Sequence, residues 1–176
     1  MDMSKSVFEK IELVKNILGD DPFGLIIGEI VEEENPIDEK LEDHILKDYY
    51  FIAGKYKILN GGVITIYGHQ RLKSIQFYVE DMLDGADKWI CIGTVENYPL
   101  FINKIDGEVS CLFGNLIDQN FVIESYGDFS SFLENYFLGS KYIDIGLSFV
   151  EAGGIRNPIG SKEDEWYKLL ELNRLV

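Results

Sequence analysis

The chain has 176 residues, 46% hydrophobic and 27% charged, a composition that suits one globular domain with a buried core. Its net charge of −15 disfavours direct binding to phosphate backbones and to anionic membrane surfaces and favours a basic protein partner, although solubility is a plainer use of the same charge. No apolar run approaches the roughly 20 residues of a membrane helix, and MDMSKSVFEK lacks a basic-then-apolar signal pattern, so a cytoplasmic location is expected.

In chain order, Val7, Ile11, Val14 and Leu18 follow a helical stripe that Gly19 ends, with Asp20-Asp21-Pro22 as a turn. Phe23 to Val31 fits either a short strand or the entry to a second helix. Asn35-Pro36 reads as a cap followed by proline in the first helical position. Ile37, Leu41 and Ile45 then continue as a helical stripe among acids. The aromatic-rich segment Tyr49 to Leu59 ends at the turn Asn60-Gly61-Gly62, and Val63 to Tyr67 is a β-branched strand. Leu72 to Leu83 admits helix or strand.

Trp89 to Val95 is apolar on both alternations, as expected of a central strand covered on both faces. Leu100 to Ile105 and Glu108 to Phe113 flank Asp106-Gly107, which reads as a two-residue type I′ hairpin pairing Ile105 with Glu108 and Ile102 with Cys111. Phe121 to Glu124 is a further short strand. A helix opening at Asp128 or Ser130 buries Phe129, Phe132, Leu133, Tyr136 and Phe137 and stops at Gly139. Ser161 to Asp164 has the form of a capping box ahead of a last helix to about Leu172, anchored by Trp166, Leu169 and Leu170. Cys91 and Cys111 read as packed fillers on adjacent strands, and with His44 and His69 in unrelated contexts they offer no zinc spacing.

The segment Ile45-Leu46-Lys47-Asp48-Tyr49-Tyr50-Phe51 followed by Asn60-Gly61-Gly62 resembles the "LP-x-x-Y-x-x-F … NGG" region of the SUKH superfamily. That superfamily includes Syd, the Smi/Knr cell-wall regulators and many bacterial immunity proteins. Ile92-Gly93, Leu100 and Asp106-Gly107-Glu108-Val109 are similar to its central hairpin, and Asp128 to Leu133 to its "sF-x-x-FL" helix. The resemblance spans about residues 5 to 140. Lys47 stands where the family usually has proline, and the segment after Gly139 exceeds a minimal member. The resemblance implies an α+β, SUKH-like fold, a central mostly antiparallel sheet with helices packed around it. Residues 1–176 then form a single domain, with 140–176 a C-terminal extension containing the final helix. The implied role is an immunity protein that neutralises a cognate toxin acting on nucleic acid. A Smi/Knr-like adaptor is the alternative.

Such a toxin needs a basic cleft for phosphates, and carboxylates can occupy that cleft by accepting arginine hydrogen bonds. The acidic run Glu29, Glu32, Glu33, Glu34, Asp38, Glu39, Glu42 and Asp43 supplies them, and of these Glu32, Glu33, Glu34, Asp38, Glu42 and Asp43 are the expected partner contacts, with Tyr49 and Tyr50 as aromatic anchors. A solvated helix face is the plainer reading of the run, and a buried core position the plainer reading of each tyrosine. A second acidic cluster, Glu80, Asp81, Asp84 and Asp87, competes for the same role. No complete catalytic constellation and no phosphate loop is visible, so neither an enzyme nor a cofactor is expected.

Overall fold

The structure, a computed structural model, describes residues 5–36, 45–80, 82, 84–115, 120–153 and 161–176. Helix α1 (Lys5–Asp20) turns its apolar stripe inward: Val7, Ile11, Val14 and Leu18 are all buried. The ambiguous segment after it is both things in succession. A single helical turn, α2 (Gly24–Ile27), runs directly into strand β1 (Gly28–Glu32). The expected helix from Asn35-Pro36 lies mostly outside the described residues. Helix α3 (Lys47–Lys55) follows, then β2 (Tyr56–Gly61) and β3 (Ile64–Tyr67).

The segment that admitted helix or strand is helical, in short pieces: α4 (His69–Leu72), a 3₁₀ turn, α5 (Phe77–Glu80) and α6 (Gly85–Lys88). Four strands complete the sheet, β4 (Trp89–Val95), β5 (Tyr98–Asn103), β6 (Glu108–Asn115) and β7 (Asn120–Asp128). Helix α7 (Phe129–Phe132) continues as a π-helical turn, Leu133–Phe137. Helices α8 (Leu147–Glu151) and α9 (Glu165–Leu172) end the chain.

Among the described residues the seven strands form one open sheet in sequence order, every neighbouring pair antiparallel. The fold is therefore α+β, with β1 and β7 at the two edges. One face carries the principal core. Ile66, Ile92, Leu100, Ile102 and Val109 of the sheet meet the buried sides of α1, α3, α7 and α9 there. The other face is covered at its centre by α5 and its neighbours, where Ile75, Val79 and Met82 pack on Cys91, Phe101 and Leu112. Thus β4 is buried on both sides, as its unbroken apolar run requires.

The central hairpin differs from its expected form. Ile102 pairs with Val109 and Leu100 with Cys111, so the loop is longer than two residues. The reason is side-chain chemistry at Asn103 and Asp106. The Asn103 Oδ1 accepts the Ile105 N–H at 2.9 Å, the Asp106 Oδ1 accepts the Glu108 N–H at 3.0 Å, and the Gly107 N–H reaches the Asn103 carbonyl at 2.8 Å. These bonds stabilise a wider turn in which Gly107 alone takes the left-handed conformation, φ +79°; a type I′ turn needs two such residues. The displacement is two residues, and side chains alternate with period two, so every residue keeps its face.

The cysteines are not on adjacent strands. Cys91 is on β4 and Cys111 on β6, with β5 between them, and they belong to the cores on opposite faces. β4 bulges between Cys91 and Gly93, and its pairing with β3 ends at Gly93, so Cys91 pairs with Phe101 of β5 on one side and has no β3 partner for its backbone on the other. The Gln76 side-chain amide takes it up, accepting the Cys91 N–H at 3.0 Å and donating to its carbonyl at 2.8 Å.

The last helix is capped by Asp164, whose Oδ1 accepts the Trp166 N–H at 2.8 Å; Ser161 instead accepts from Glu163, so the capping box does not form. The same Asp164 accepts the Tyr142 hydroxyl at 2.7 Å, and that hydroxyl accepts the Val63 N–H at 3.0 Å. Tyr142, Ile145, Trp166 and Leu170 all lie in the principal core. No helix among the described residues is long and apolar enough to cross a membrane.

Candidate protein-binding surface

The described part of the acidic run lies on β1 and just after it, at one edge of the sheet, and its members have different surroundings. Glu29 is exposed and pairs across the ladder with Asn60. Glu32 accepts an ion pair from Lys15 at 2.8 Å. Lys15 also holds Glu12 at 2.6 Å, Lys55 lies 3.4 Å from the same carboxylate, and the Tyr56 hydroxyl donates to it. This network ties α1 to the ends of β1 and α3.

The Glu12 carboxyl feels two opposed effects. Burial raises its pKa, but hydrogen bonds from Lys15 and Tyr56, with the charges of Lys15 and Lys55, outweigh burial and bring it down to about 2. Lys15 is raised in turn by its bonds to Glu12 and Glu32, and Tyr56 is raised by burial and by Glu12.

Glu33 turns inward and is only 8% exposed. Its Oε1 accepts the Gln70 side-chain amide at 2.7 Å, its N–H bonds the Lys55 carbonyl at 2.8 Å, and its Oε2 is sealed from solvent without a hydrogen-bond partner. Glu34 is exposed. Asp38, Glu42 and Asp43 lie outside the described residues.

Tyr49 is fully buried, which corrects its expected place at an interface. Its ring meets Phe129 edge-on at 5.4 Å, its hydroxyl donates to the Tyr67 carbonyl at 3.0 Å, and burial raises its pKa. Tyr50 is half-buried against Tyr49 at 5.5 Å. The two form part of the packing between α3 and the sheet.

Three residues outside the expected set carry the most exposed apolar surface near the acids. Phe23, Leu25 and Ile26 are 67%, 82% and 81% exposed, on or next to the single turn of α2. Gly24 between them lies against the Leu18 carbonyl, so close that a Cβ there would collide with it. The glycine takes the inward position and its neighbours face out. The sequence holds a sign of this: from Asn16 to Glu39 there are acids and no Lys or Arg, with one short apolar run in their midst.

The second acidic cluster has Glu80, Asp84 and Asp87 exposed beside Phe77, which stacks on Tyr78 at 4.2 Å; Asp81 lies outside the described residues. Lys88 and Lys104 share that region, Lys88 lying 5.0 Å from the Trp89 ring and Lys104 bonding the Ala86 carbonyl. Its charge is mixed, unlike that of the first.

Both thiols are buried. Burial pushes Cys91 up to about 11, and burial with the Glu124 charge raises Cys111 well above its usual value. Glu124 is committed to the fold, accepting the Gly146 and Ser148 N–H groups at 2.7 and 2.9 Å ahead of and within α8. Among the described residues no group of three or more His, Cys, Asp or Glu is placed to hold a metal ion. No family model, curated protein or solved structure matches the chain.

Proposed function

We propose that the chain is a cytoplasmic immunity protein of SUKH type that binds a basic, nucleic-acid-acting toxin domain and blocks it stoichiometrically, without catalysis or a cofactor. The observation that carries this reading is the base-free acidic stretch from Asn16 to Glu39, whose described part leads along the β1 edge with Asp20, Glu29, Glu32 and Glu34 exposed. Carboxylates held on a sheet edge match a cleft built to hold phosphates, and complementary fields speed encounter. The antiparallel sheet with helices on its principal face supports the SUKH-like reading of the sequence motifs.

The test is co-expression with toxin domains encoded beside the gene. The wild-type chain is expected to restore growth of cells making one of them. Glu29→Lys with Glu34→Lys is expected to abolish that protection while leaving melting temperature unchanged. Glu33→Lys is unsuited to this purpose, because it would force a cation into a buried position. Absence of protection against every neighbouring toxin domain refutes the reading.

A further inference from the structure

We propose that the turn formed by Phe23, Leu25 and Ile26 is the anchor of a docking surface for a protein partner that offers an apolar pocket bordered by Lys and Arg. The proposal rests on the protein-binding reading above and names the contact that reading lacks. Exposed apolar side chains scattered singly need no explanation, whereas here three highly exposed ones, Phe23, Leu25 and Ile26, fall within four consecutive residues.

The turn is held in place before any partner arrives. The Asp21 Oδ1 accepts the Phe23 N–H at 2.8 Å, the Gly24 N–H bonds the Asp21 carbonyl at 3.0 Å, and the Ile26 N–H bonds the Phe23 carbonyl at 2.9 Å. Gly24 pressed on α1 fixes which way the turn faces. A preset anchor loses little freedom on binding.

The rim selects the occupant. Asp20 and Asp21 precede the turn, Glu29 follows it, and no Lys or Arg occurs between Asn16 and Glu39. An apolar centre with a one-signed polar rim is the arrangement of an interface hot spot. The sign excludes phosphate backbones and anionic lipid headgroups. It also opposes a second copy, since each chain carries −15 and a self-contact through this patch would bring acidic rims together.

The probe is a synthetic amphipathic helical peptide of leucine and lysine only, with the leucines on one face. Two control peptides replace lysine by glutamate, or leucine by serine. Amide shifts in nitrogen-labelled protein are expected to centre on Phe23 to Glu29, and both controls are expected to bind at least about tenfold more weakly. Leu25→Ser with Ile26→Ser is expected to weaken binding of the leucine–lysine peptide by at least about tenfold, with the far-ultraviolet spectrum and melting temperature retained because both side chains are exposed.

Shifts centred on Phe77 and Tyr78 would overturn the proposal, as would equal binding of the glutamate peptide. Self-association of the wild type that the double variant removes would also overturn it, by assigning the patch to a second copy. Protection against a toxin that survives Leu25→Ser with Ile26→Ser would refute this anchor and leave the immunity reading standing.

Discussion

Trp166 is the most informative single side chain in the fold. It is fully buried on α9, donates from Nε1 to the Phe137 carbonyl at 2.8 Å, and packs at 5.1 Å from the Phe137 ring. Its indole lies flat on Gly28 of β1 and Gly61 of β2, where a Cβ would collide with the ring. Trp166→Ala removes the largest contact between the last helix and the sheet and leaves a buried carbonyl without its donor. Truncating a core tryptophan costs about 3–5 kcal/mol, and the lost bond lies within that sum. At roughly 2–4 °C per kcal/mol for a chain of this size, the melting temperature should fall by about 6–20 °C. Gly61→Ala should cost about 1–3 kcal/mol by overpacking against the indole, but much less in the Trp166→Ala background, where the cavity receives the methyl. Calorimetry on the four proteins of this cycle measures the coupling. A fall under about 3 °C for Trp166→Ala, or strictly additive costs, would refute the packing described here.

Other expectations follow from the same contacts. The folded pKa of Glu12, about 2, lies below its ordinary 4.5, so its stabilisation is complete above about pH 4.5 and lost as pH falls toward 2. Glu12→Gln should therefore flatten that acid limb, by about 1–3 kcal/mol after allowing for partial solvent screening, in urea titrations at stepped pH. Gln76→Ala strands the Cys91 N–H and carbonyl at the β4 bulge and should cost about 2–4 kcal/mol, with faster hydrogen exchange at the Cys91 amide. Cys91 and Cys111 should resist a thiol reagent at neutral pH in the folded protein and react together on unfolding; selective labelling of one in native buffer would contradict their burial.

How much of this was legible in the sequence depended on whether short-range chemistry decided the outcome. The α1 stripe, the doubly apolar β4 and the Asp128 cap were readable because periodicity or one side-chain hydrogen bond sets each of them. The segment from Leu72 to Leu83 was not, because its apolar spacing fits both periods, and its described part is helical where Ile75 and Val79 pack against Cys91 and Phe101. The hairpin register was off by two residues because Asn103, read as a strand residue, directs the turn with its side chain. Asn60-Gly61-Gly62 reads as a turn, but Asn60 and Gly61 still belong to β2 and the turn is Gly62-Val63; Gly61 is the strand surface against which Trp166 packs, more than a hundred residues away in sequence. Nothing local foretells that contact.

The acidic run shows why charge in sequence overstates charge available to a partner. Read as a string, Glu32, Glu33 and Glu34 are equivalent. In the fold Glu32 is exposed but paired with Lys15, Glu33 is buried against Gln70, and Glu34 is exposed. β1 ends at Glu32, and the chain then turns inward at Glu33, whose N–H bonds the Lys55 carbonyl and whose side chain meets Gln70. An exposed pair such as Glu32 with Lys15 contributes about 0–1 kcal/mol to the fold, so a stronger cation could displace Lys15 at small cost. Glu33 cannot be recruited so simply, because reaching it means opening the contact with Gln70. The surface offered to a basic partner is therefore narrower than the run suggests: Asp20, Glu29 and Glu34 without cost and Glu32 by exchange, with the apolar turn at Phe23, Leu25 and Ile26 ahead of β1. A small apolar centre carries affinity and a few surrounding carboxylates carry selectivity, which is the division of labour expected when electrostatics sets on-rate and partner choice more than binding strength.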